Sequence, residues 1–166
     1  MLGAGGMMGF AMTRNMARAG LTVRAWNRTG EKAQPLADDG VYLADSPADA
    51  VGGAGIVVTM LADAGAVISA FQDALPGIDP TADPHVIWLQ MSTIGEAATR
   101  SCENLANSSG VGFVDAPVLG TRERAEQGDL VILESGPEEA RPRVQPVFDA
   151  VGSASSGRAR PAPDPG

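Results

Sequence analysis

Residues 1–9 read Met1-Leu2-Gly3-Ala4-Gly5-Gly6-Met7-Met8-Gly9, and a helical pattern follows them directly. Glycines before a helix let the backbone turn tightly and approach a pyrophosphate, which the helix N-terminus binds through free N–H groups. The spacing departs from G-x-G-x-x-G, because Met8 takes the last position counted from Gly3, and Ala4 takes the first position counted back from Gly9. The stretch therefore predicts either a phosphate-binding turn or a plain glycine-rich connection between a strand and a helix.

Short apolar runs follow this stretch and alternate with segments of helical pattern. Several runs are near-continuous in Val, Ile and Leu, which is typical of strands covered on both faces. We predict strands over Leu21–Trp26, Val41–Ala44, Ile56–Leu61, Val86–Met91, Val111–Asp115 and Leu130–Glu134.

Two of the intervening segments carry an apolar stripe at helical spacing. The segment Met8–Ala19 places three methionines on one face, and Gly20 predicts the C-terminal end of that helix. The segment Ala64–Leu75 carries a second stripe, formed by Val67, Ile68, Phe71 and Leu75.

Three further helices are predicted from their terminal residues and prolines. Ser46-Pro47 marks one start, and Thr93 with Glu96 marks another as a capping box. The segment Glu138–Val151 predicts a last helix, and we expect its prolines, Pro142 and Pro146, to bend or break it.

Alternation of strands and helices predicts an α/β fold with a mostly parallel, doubly wound sheet of the Rossmann type. The strand that should precede the glycines is truncated to Met1-Leu2. We assign residues 1–152 to this one domain. The stretch from Gly152 to the end has no periodicity and no bulky apolar residue, so we expect residues 153–166 to form a disordered tail.

Charge and composition exclude several classes of function. The net charge is −8, from 12 basic and 20 acidic residues, which disfavours binding to nucleic acid or to an anionic membrane. The single cysteine, Cys102, forms no internal disulfide, and no Cys/His cluster predicts a metal site. No apolar run reaches the ~20 residues that span a bilayer. The first basic residue is Arg14, so the start lacks the basic region of a signal peptide, and we expect a cytoplasmic protein.

The end of the second predicted strand indicates which nucleotide would bind. An NAD site usually presents Asp or Glu there, to bind the ribose 2′-OH, whereas this chain has Asn27-Arg28-Thr29. Arg28 could pair with a 2′-phosphate, and Asn27 and Thr29 could donate to the same group. Alternatively, Arg28 is a solvated side chain and Thr29 caps the next helix. The glycines about 20 residues upstream favour the first interpretation, which predicts NADP(H).

Several motifs, in order and spacing, carry a resemblance to a known family. They are Met8-Gly9 with Met12, Asn27-Arg28-Thr29, Thr59-Met60-Leu61-Ala62-Asp63, Gln90-Met91-Ser92-Thr93 and Asp115-Ala116-Pro117-Val118-Leu119-Gly120. The chain resembles the β-hydroxyacid dehydrogenase family from Leu2 to Gly152. Members of that family include 3-hydroxyisobutyrate dehydrogenase, tartronate semialdehyde reductase and the nucleotide-binding domain of 6-phosphogluconate dehydrogenase.

The resemblance implies a set of binding residues. The pyrophosphate would be bound by Gly5, Gly6, Met7 and Met8, and NADP(H) would be selected by Asn27, Arg28 and Thr29. The nicotinamide ribose would be lined by Met60 and Leu61, and Thr93 would lie near the nicotinamide. An alternative interpretation, without the resemblance, is that Met60, Leu61 and Met91 are ordinary core residues. In that interpretation Ser92 and Thr93 do no more than cap a helix.

The chain departs from the family at the substrate and at the catalyst. The loop with Leu119, Gly120 and Thr121 would anchor a substrate carboxylate, but the family normally has Ser where Leu119 stands, which indicates a bulkier or more apolar substrate. The family's general acid/base is a lysine in a helical domain beyond this one, whereas the only lysine here is Lys32. We expect that C-terminal helical domain, which in the family completes the substrate pocket and builds the homodimer, to be absent from this chain.

We therefore expect an NADP-dependent oxidoreductase fold that transfers hydride between NADPH and a carbonyl or imine, with little or no turnover from these residues alone. Its partner would be a small carbonyl or hydroxyacid substrate, and we predict no catalytic residue within the chain. One alternative is a non-catalytic NADP-binding remnant or fragment. Another is a methyltransferase-like domain, which Asn27-Arg28-Thr29 disfavours because that cofactor's ribose hydroxyls call for an acidic residue.

Overall fold

A computed structural model describes residues 1–79 and 81–156 and contains a central parallel sheet. Its five strands run parallel to one another, and each lies within or across a predicted apolar run. They are β1 (Arg24–Ala25), β2 (Tyr42–Leu43), β3 (Ile56–Thr59), β4 (Ile87–Gln90) and β5 (Gly112–Asp115). Parallel pairs join β1 to β2, β3 to β4, and β4 to β5, as the sequence predicts.

Leu2 joins the two halves of this sheet. It pairs in parallel with Trp26 after β1 and with Thr59 of β3. The order across the sheet is therefore β2, β1, Leu2, β3, β4 and β5. Leu2 is thus central in the sheet, as a single bridging residue between its two halves.

A second group of three strands extends the fold. It consists of β6 (Val118–Leu119), β7 (Leu130–Glu134) and β8 (Gly152–Ser156). Strand β6 is antiparallel to β7, whereas β8 is parallel to it. An antiparallel bridge from Asp115 to Ser135 connects this group to β5.

Helices cover both faces of the central sheet, as a doubly wound fold requires. They are α1 (Met7–Arg18), α2 (Pro47–Ala50), α3 (Ala64–Ala74), α4 (Glu96–Ser108), α5 (Arg122–Glu126) and α6 (Arg141–Val151). Side chains from α1, α5 and α6 pack with Val58 and Leu89 on one face. Those from α2, α3 and α4 pack with Val57 and Trp88 on the other face. No helix of the described residues is both long and apolar enough to cross a membrane.

Most predicted helix ends agree with the structure. Helix α1 ends at Arg18, and Gly20 follows with a φ of 91°, the left-handed conformation that glycine adopts most easily. Helix α2 begins after Ser46, whose side chain accepts a hydrogen bond from the Asp49 N–H at 3.0 Å.

The capping box at Thr93 was a wrong prediction. Helix α4 begins at Glu96, and its N-cap is Gly95, which has a φ of 85° and no side chain to accept a bond. Thr93 therefore lies two residues outside the cap position, too early to bond to the first turn.

The prolines of the last helix interrupt it less than expected. A short 3-10 turn, Glu138–Ala140, precedes α6, and α6 then runs continuously to Val151 with Pro146 inside it. Pro142 lies in the first turn, where the backbone N–H has no helical partner to lose.

The expectation of disorder from residue 153 was wrong for residues 153–156, which belong to β8; residues 157–166 lie outside the described part. A strand held by main-chain hydrogen bonds needs no bulky side chain. Small residues also let β8 approach β7 closely, since a Cβ at Gly152 would overlap the carbonyl oxygen of Leu130. For this reason, the lack of apolar residues did not indicate disorder there.

The central position of the first residues buries the amine of Met1. It donates a hydrogen bond of 2.7 Å to the carbonyl oxygen of Arg24. Burial, and secondarily the positive charge of Arg24, lowers the pKa of this amine from 8.0 to about 5. The folded chain therefore holds the amine neutral over a range in which the unfolded chain protonates it.

We expect the free energy of unfolding of the chain that begins at Met1 to rise between pH 5 and pH 8. The unfolded state binds one more proton than the folded state in this window, so stability falls as the pH is lowered through it. The full effect is about 4 kcal/mol, measured by urea unfolding at a series of pH values. Nα-acetylation of Met1 should remove the dependence; an equal slope in the acetylated chain would contradict the assignment.

Candidate functional site

The carboxyl ends of the central strands meet the glycine-rich stretch Gly3–Gly9, which we call the glycine turn. Leu2 donates its N–H to the carbonyl oxygen of Val58 at 2.8 Å, and Gly3 donates to that of Trp26 at 2.9 Å. The glycine turn therefore begins between the ends of β1 and β3. This is the edge at which open α/β sheets bind ligands.

Three glycines in this turn are required by close contacts. Gly3 has a φ of 102°, and a Cβ there would overlap the carbonyl oxygen of Met60. A Cβ at Gly9 would overlap the carbonyl oxygen of Gly3, and one at Gly5 would overlap the side-chain amide of Asn27. The glycines that the fold needs are thus spaced G-x-G-x-x-x-G, which accounts for the departure from the shorter pattern.

The N-terminus of α1 opens toward this edge. Gly6 is the N-cap residue, and among the described residues no side chain caps the first turn. The carbonyl oxygen of Gly6 accepts the first hydrogen bond of the helix, from the Phe10 N–H at 2.8 Å. The N–H groups of Met7 and Met8 come before this bond and therefore have no acceptor within the helix. The first turn carries no acidic residue, so the positive end of the helix dipole is unopposed.

The loop that follows β1, residues 27–29, lies against the glycine turn. The half-buried Asn27 donates its side-chain N–H to the carbonyl oxygen of Thr29 at 2.9 Å. Arg28 and Thr29 are exposed. Thr29 is the N-cap of a 3-10 helix, Gly30–Asp39, but its side chain makes no capping bond. One N–H of Asn27 is thus already used to shape the loop.

Two basic side chains lie beside this loop. Within the described part of the chain, the side chains of Arg28 and Lys32 have no hydrogen bond or ion pair, and both residues are exposed. The Cβ of Lys32 lies 2.8 Å from the position that a Cβ of Gly5 would take, which places Lys32 next to the glycine turn. The sequence analysis gave Lys32 no binding role, although its spacing of one helical turn from Arg28 indicates that it lies beside this end of the site.

A buried polar network fixes the ends of β3 and β4. The Gln90 side chain accepts from the Ser92 N–H at 2.7 Å and from the Thr59 hydroxyl at 3.3 Å, and it donates to the Ser92 carbonyl oxygen at 2.8 Å. Its amide also lies 3.3 Å from an oxygen of Asp115 on β5. The indole N–H of Trp88 donates to Thr59 at 2.9 Å. The network was not predicted, since nothing in the sequence indicated that Gln90 would be fully buried.

The residues predicted for the nicotinamide end lie at these strand ends. Ser92 accepts from the Leu61 N–H at 2.8 Å, so it ties the segment after β4 to the segment after β3 instead of capping α4. Met60 and Leu61 are half-buried and Thr93 is exposed, whereas Met91 is fully buried core. The structure therefore brings Met60, Leu61 and Thr93 to one edge.

The predicted substrate residues follow β6. The N–H of Val118 bonds to the carbonyl oxygen of Met91 at 3.3 Å, so this segment starts beside the end of β4. The side chain of Leu119 is 49% exposed, and Gly120 has a φ of 150°. Thr121 is the N-cap of α5, where its hydroxyl accepts from the Arg124 N–H at 3.2 Å. The Thr121 hydroxyl is thus engaged in this structure.

A groove of about 990 Å³ opens next to Thr93. Its walls are α4, the end of β5 and the segment after β7, and most of the residues that line it have polar or charged side chains. This groove continues the carboxyl edge beyond the strand ends and is wide enough to admit a small polar molecule.

The other reactive side chains are engaged or distant. Burial, with a smaller contribution from Asp115, raises the pKa of the Cys102 thiol to about 11, so the thiol stays protonated at neutral pH. The exposed His85 precedes β4, at the opposite end from Thr93, and the Tyr42 hydroxyl donates to Asp49 at 3.1 Å. None of the three is placed to act at the carboxyl edge.

Comparison with known proteins relates this geometry to a family. The sequence model described as the NAD binding domain of 6-phosphogluconate dehydrogenase matches residues 1–158. The glyoxylate/succinic semialdehyde reductase 1 of Arabidopsis thaliana is 30% identical over 150 residues, which are 90% of this chain and 52% of that protein. The chain thus spans about half the length of this curated relative.

Solved structures agree with the sequence comparison. The 3-hydroxyisobutyrate dehydrogenase of Mycobacterium tuberculosis, solved with L-serine, matches with a TM-score of 0.86 and 30% identity, over 93% of this chain and 52% of that one. The imine reductase of Myxococcus stipitatus, solved with NADP+, matches with a TM-score of 0.83 and 26% identity, over 94% and 53% of the two chains. The chain belongs to the β-hydroxyacid dehydrogenase family, and it forms the Rossmann-type NAD(P)-binding domain of that family.

Proposed function

We propose that the chain binds NADP(H) along its carboxyl edge and, together with a second domain, transfers hydride between NADPH and a carbonyl or imine. The observation that carries the proposal is the glycine turn at the uncapped N-terminus of α1, with unpaired Arg28 and Lys32 beside it.

The residues of the turn fit a dinucleotide. Three positions leave no room for a Cβ, so the backbone passes close to β1 and β3, and the N–H groups of Met7 and Met8 remain available to an anion. Gly5, Gly6, Met7 and Met8 would hold the pyrophosphate. Gly6 is exposed, and a Cβ there would meet only the Gly3 carbonyl oxygen at 3.6 Å, so the turn is accessible from solvent.

The choice of NADP(H) rests on charge at the loop of residues 27–29. Arg28 and Lys32 present two positive charges, and the loop itself contains no acidic side chain to bind a 2′-OH. Arg28 and Thr29 would contact the 2′-phosphate, with Asn27 holding the loop through its bond to Thr29. The imine reductase with NADP+ is consistent with this choice.

The bound nicotinamide would supply the hydride, and the protein would orient it. Met60 and Leu61 would line its ribose, and Thr93 would lie near its ring, at strand ends that the Gln90 network holds in place. Leu119, Gly120 and Thr121 would meet the substrate through backbone N–H groups and an apolar side chain. The second domain would supply the proton donor and the homodimer contacts.

A second candidate is an NADP-binding chain that catalyses nothing. Lys32, the only lysine of the sequence, lies beside the glycine turn, at the phosphate end of the site. The described residues at the nicotinamide end therefore include no lysine that could transfer a proton.

We expect Arg28→Ala to weaken NADPH binding by about tenfold to a hundredfold and to leave NADH binding unchanged. A charge-assisted hydrogen bond contributes about 1.5–3 kcal/mol, and only NADPH carries the 2′-phosphate that would accept it. Calorimetric titration with both nucleotides measures the effect. Arg18→Ala, which removes an exposed arginine at the C-terminal end of α1, away from the carboxyl edge, is the control. Equal losses for NADPH and NADH would contradict 2′-phosphate recognition.

Gly5→Ala should weaken the binding of both nucleotides by roughly tenfold or more, because the added Cβ displaces Asn27 and disturbs the turn. The same titrations measure this, with circular dichroism to show that the variant is folded. Gly30→Ala adds the same atom where no other atom lies within 4 Å, and it should bind like the parent chain. Unchanged affinity in a folded Gly5→Ala would place the pyrophosphate elsewhere.

The purified chain should bind NADPH without measurable turnover of glyoxylate or another small aldehyde acid. Fusion to the C-terminal domain of a family relative should restore NADPH oxidation, followed at 340 nm, if the site is catalytically competent. Steady oxidation by the chain alone would overturn the expected inactivity. Binding without activity in the fusion would favour the non-catalytic alternative.

A further inference from the structure

The chain contains seven methionines, and the structure exposes them to very different degrees. Four of them are core residues that are at most 7% exposed, namely Met1, Met12, Met16 and Met91. Met8 and Met60 are half-buried and pack against the same core. Met7 is 62% exposed and belongs to neither of the two hydrophobic clusters. Met7 is therefore the methionine most open to a reagent in solution.

This exposed methionine lies within the glycine turn. Met7 is the first residue of α1, directly after the N-cap residue Gly6. Its N–H and that of Met8 come before the first hydrogen bond of the helix, and among the described residues no side chain caps this turn. A chemical change at Met7 would therefore be made on a residue that the proposed function assigns to the pyrophosphate.

An exposed thioether is oxidised by hydrogen peroxide to a sulfoxide. The sulfur lone pair attacks one oxygen of the peroxide, the O–O bond breaks, and the second oxygen takes the remaining proton of the first and leaves as water. Sulfur loses two electrons and the peroxide gains two. The sulfoxide oxygen is a strong hydrogen-bond acceptor with a partial negative charge, whereas the thioether sulfur is only a weak acceptor.

We infer that Met7 is an oxidation site, at which hydrogen peroxide forms the sulfoxide and thereby weakens nucleotide binding at the glycine turn. This inference rests on the proposed function, which places the pyrophosphate at the turn. Two effects of the sulfoxide oxygen act in the same direction. Its partial negative charge repels the pyrophosphate, and it competes as an acceptor for the free N–H groups of the first turn.

Burial of the other sulfur atoms makes the reaction selective for Met7. Met8 and Met60 also belong to the proposed site, but both pack against the core, so peroxide reaches them more slowly. The buried Cys102 does not compete, because burial raises the pKa of its thiol to about 11 and the thiolate is the form that reacts. A low dose of peroxide should therefore modify Met7 first.

Nucleotide binding and oxidation should also oppose each other in the reverse direction. A pyrophosphate held by the N–H groups of Met7 and Met8 would cover the turn and restrict the approach of peroxide. The chain would therefore be oxidised mainly while its site is empty. This protection distinguishes a modification within the binding site from general oxidation of the surface.

The test treats the purified 166-residue chain with graded doses of hydrogen peroxide, with and without saturating NADP+. Catalase removes the remaining peroxide, peptide mass spectrometry locates the sulfoxides, and circular dichroism shows that the chain is folded. Met7 should react at least about tenfold faster than Met12 or Met91, and NADP+ should slow its reaction. Calorimetric titration should show that the Kd for NADPH rises about fivefold or more once Met7 is fully converted.

Two variants assign the effect to one sulfur atom. Met7→Leu has no sulfur at this position and, compared with itself before and after the same dose, should keep its affinity for NADPH. Met60→Leu, the matched control, retains Met7 and should lose affinity on treatment as the parent chain does. Reduction by methionine sulfoxide reductases with a dithiol, which becomes a disulfide as water is released, should restore the affinity of the treated parent chain.

Oxidation of Met7 no faster than that of the core methionines would overturn the inference and leave the proposed function intact. Unchanged NADPH affinity after full conversion of Met7, or an equal loss of affinity in treated Met7→Leu, would overturn it in the same way. An untreated chain that is folded but does not bind NADPH would overturn the proposed function, and this inference with it.

Discussion

The main-chain pairing of Leu2 is the interaction on which the rest of the structure depends. It donates to Val58 and accepts from the Met60 N–H at 3.0 Å, and its neighbours Met1 and Gly3 bond to Arg24 and Trp26. Leu2 thus links strands β1 and β2 to strands β3 to β5 through main-chain hydrogen bonds within the sheet. Because Gly3 follows directly, the same bonds that join the sheet also position the start of the glycine turn.

The carboxyl edge depends on a second constraint, the burial of Gln90. A buried amide must find partners for its donors and its acceptor, and here they are Thr59, Ser92 and Asp115, on three adjacent strand ends. Each partner is thereby held at a fixed distance from the others. Met60, Leu61 and Thr93 therefore present a surface that is already ordered before any ligand arrives, which lowers the entropy cost of binding.

Apolar runs were sufficient to predict the central sheet, because strands covered on both faces must be apolar almost throughout. Strand β8 was not predicted for the converse reason: residues 152–156 are all small, with no bulky apolar side chain, and their contribution is main-chain bonding to β7. The start of α4 was misplaced because Thr93 and Glu96 have the spacing of a capping box, while Gly95 supplies the left-handed conformation that sets the helix start. The place of Lys32 depends on the packing of a 3-10 helix that no periodicity indicated.

The glycine turn and the loop of residues 27–29 form one structural unit, which explains why both must be considered when the nucleotide is assigned. Gly5 leaves room for the Asn27 amide, and Asn27 in turn bonds to Thr29. A side chain at position 5 would therefore act on the loop as well as on the turn. The positions proposed for the pyrophosphate and for the 2′-phosphate are thus coupled through one amide. In this chain the missing Cβ of Gly5 therefore helps to determine where the Arg28 charge is held.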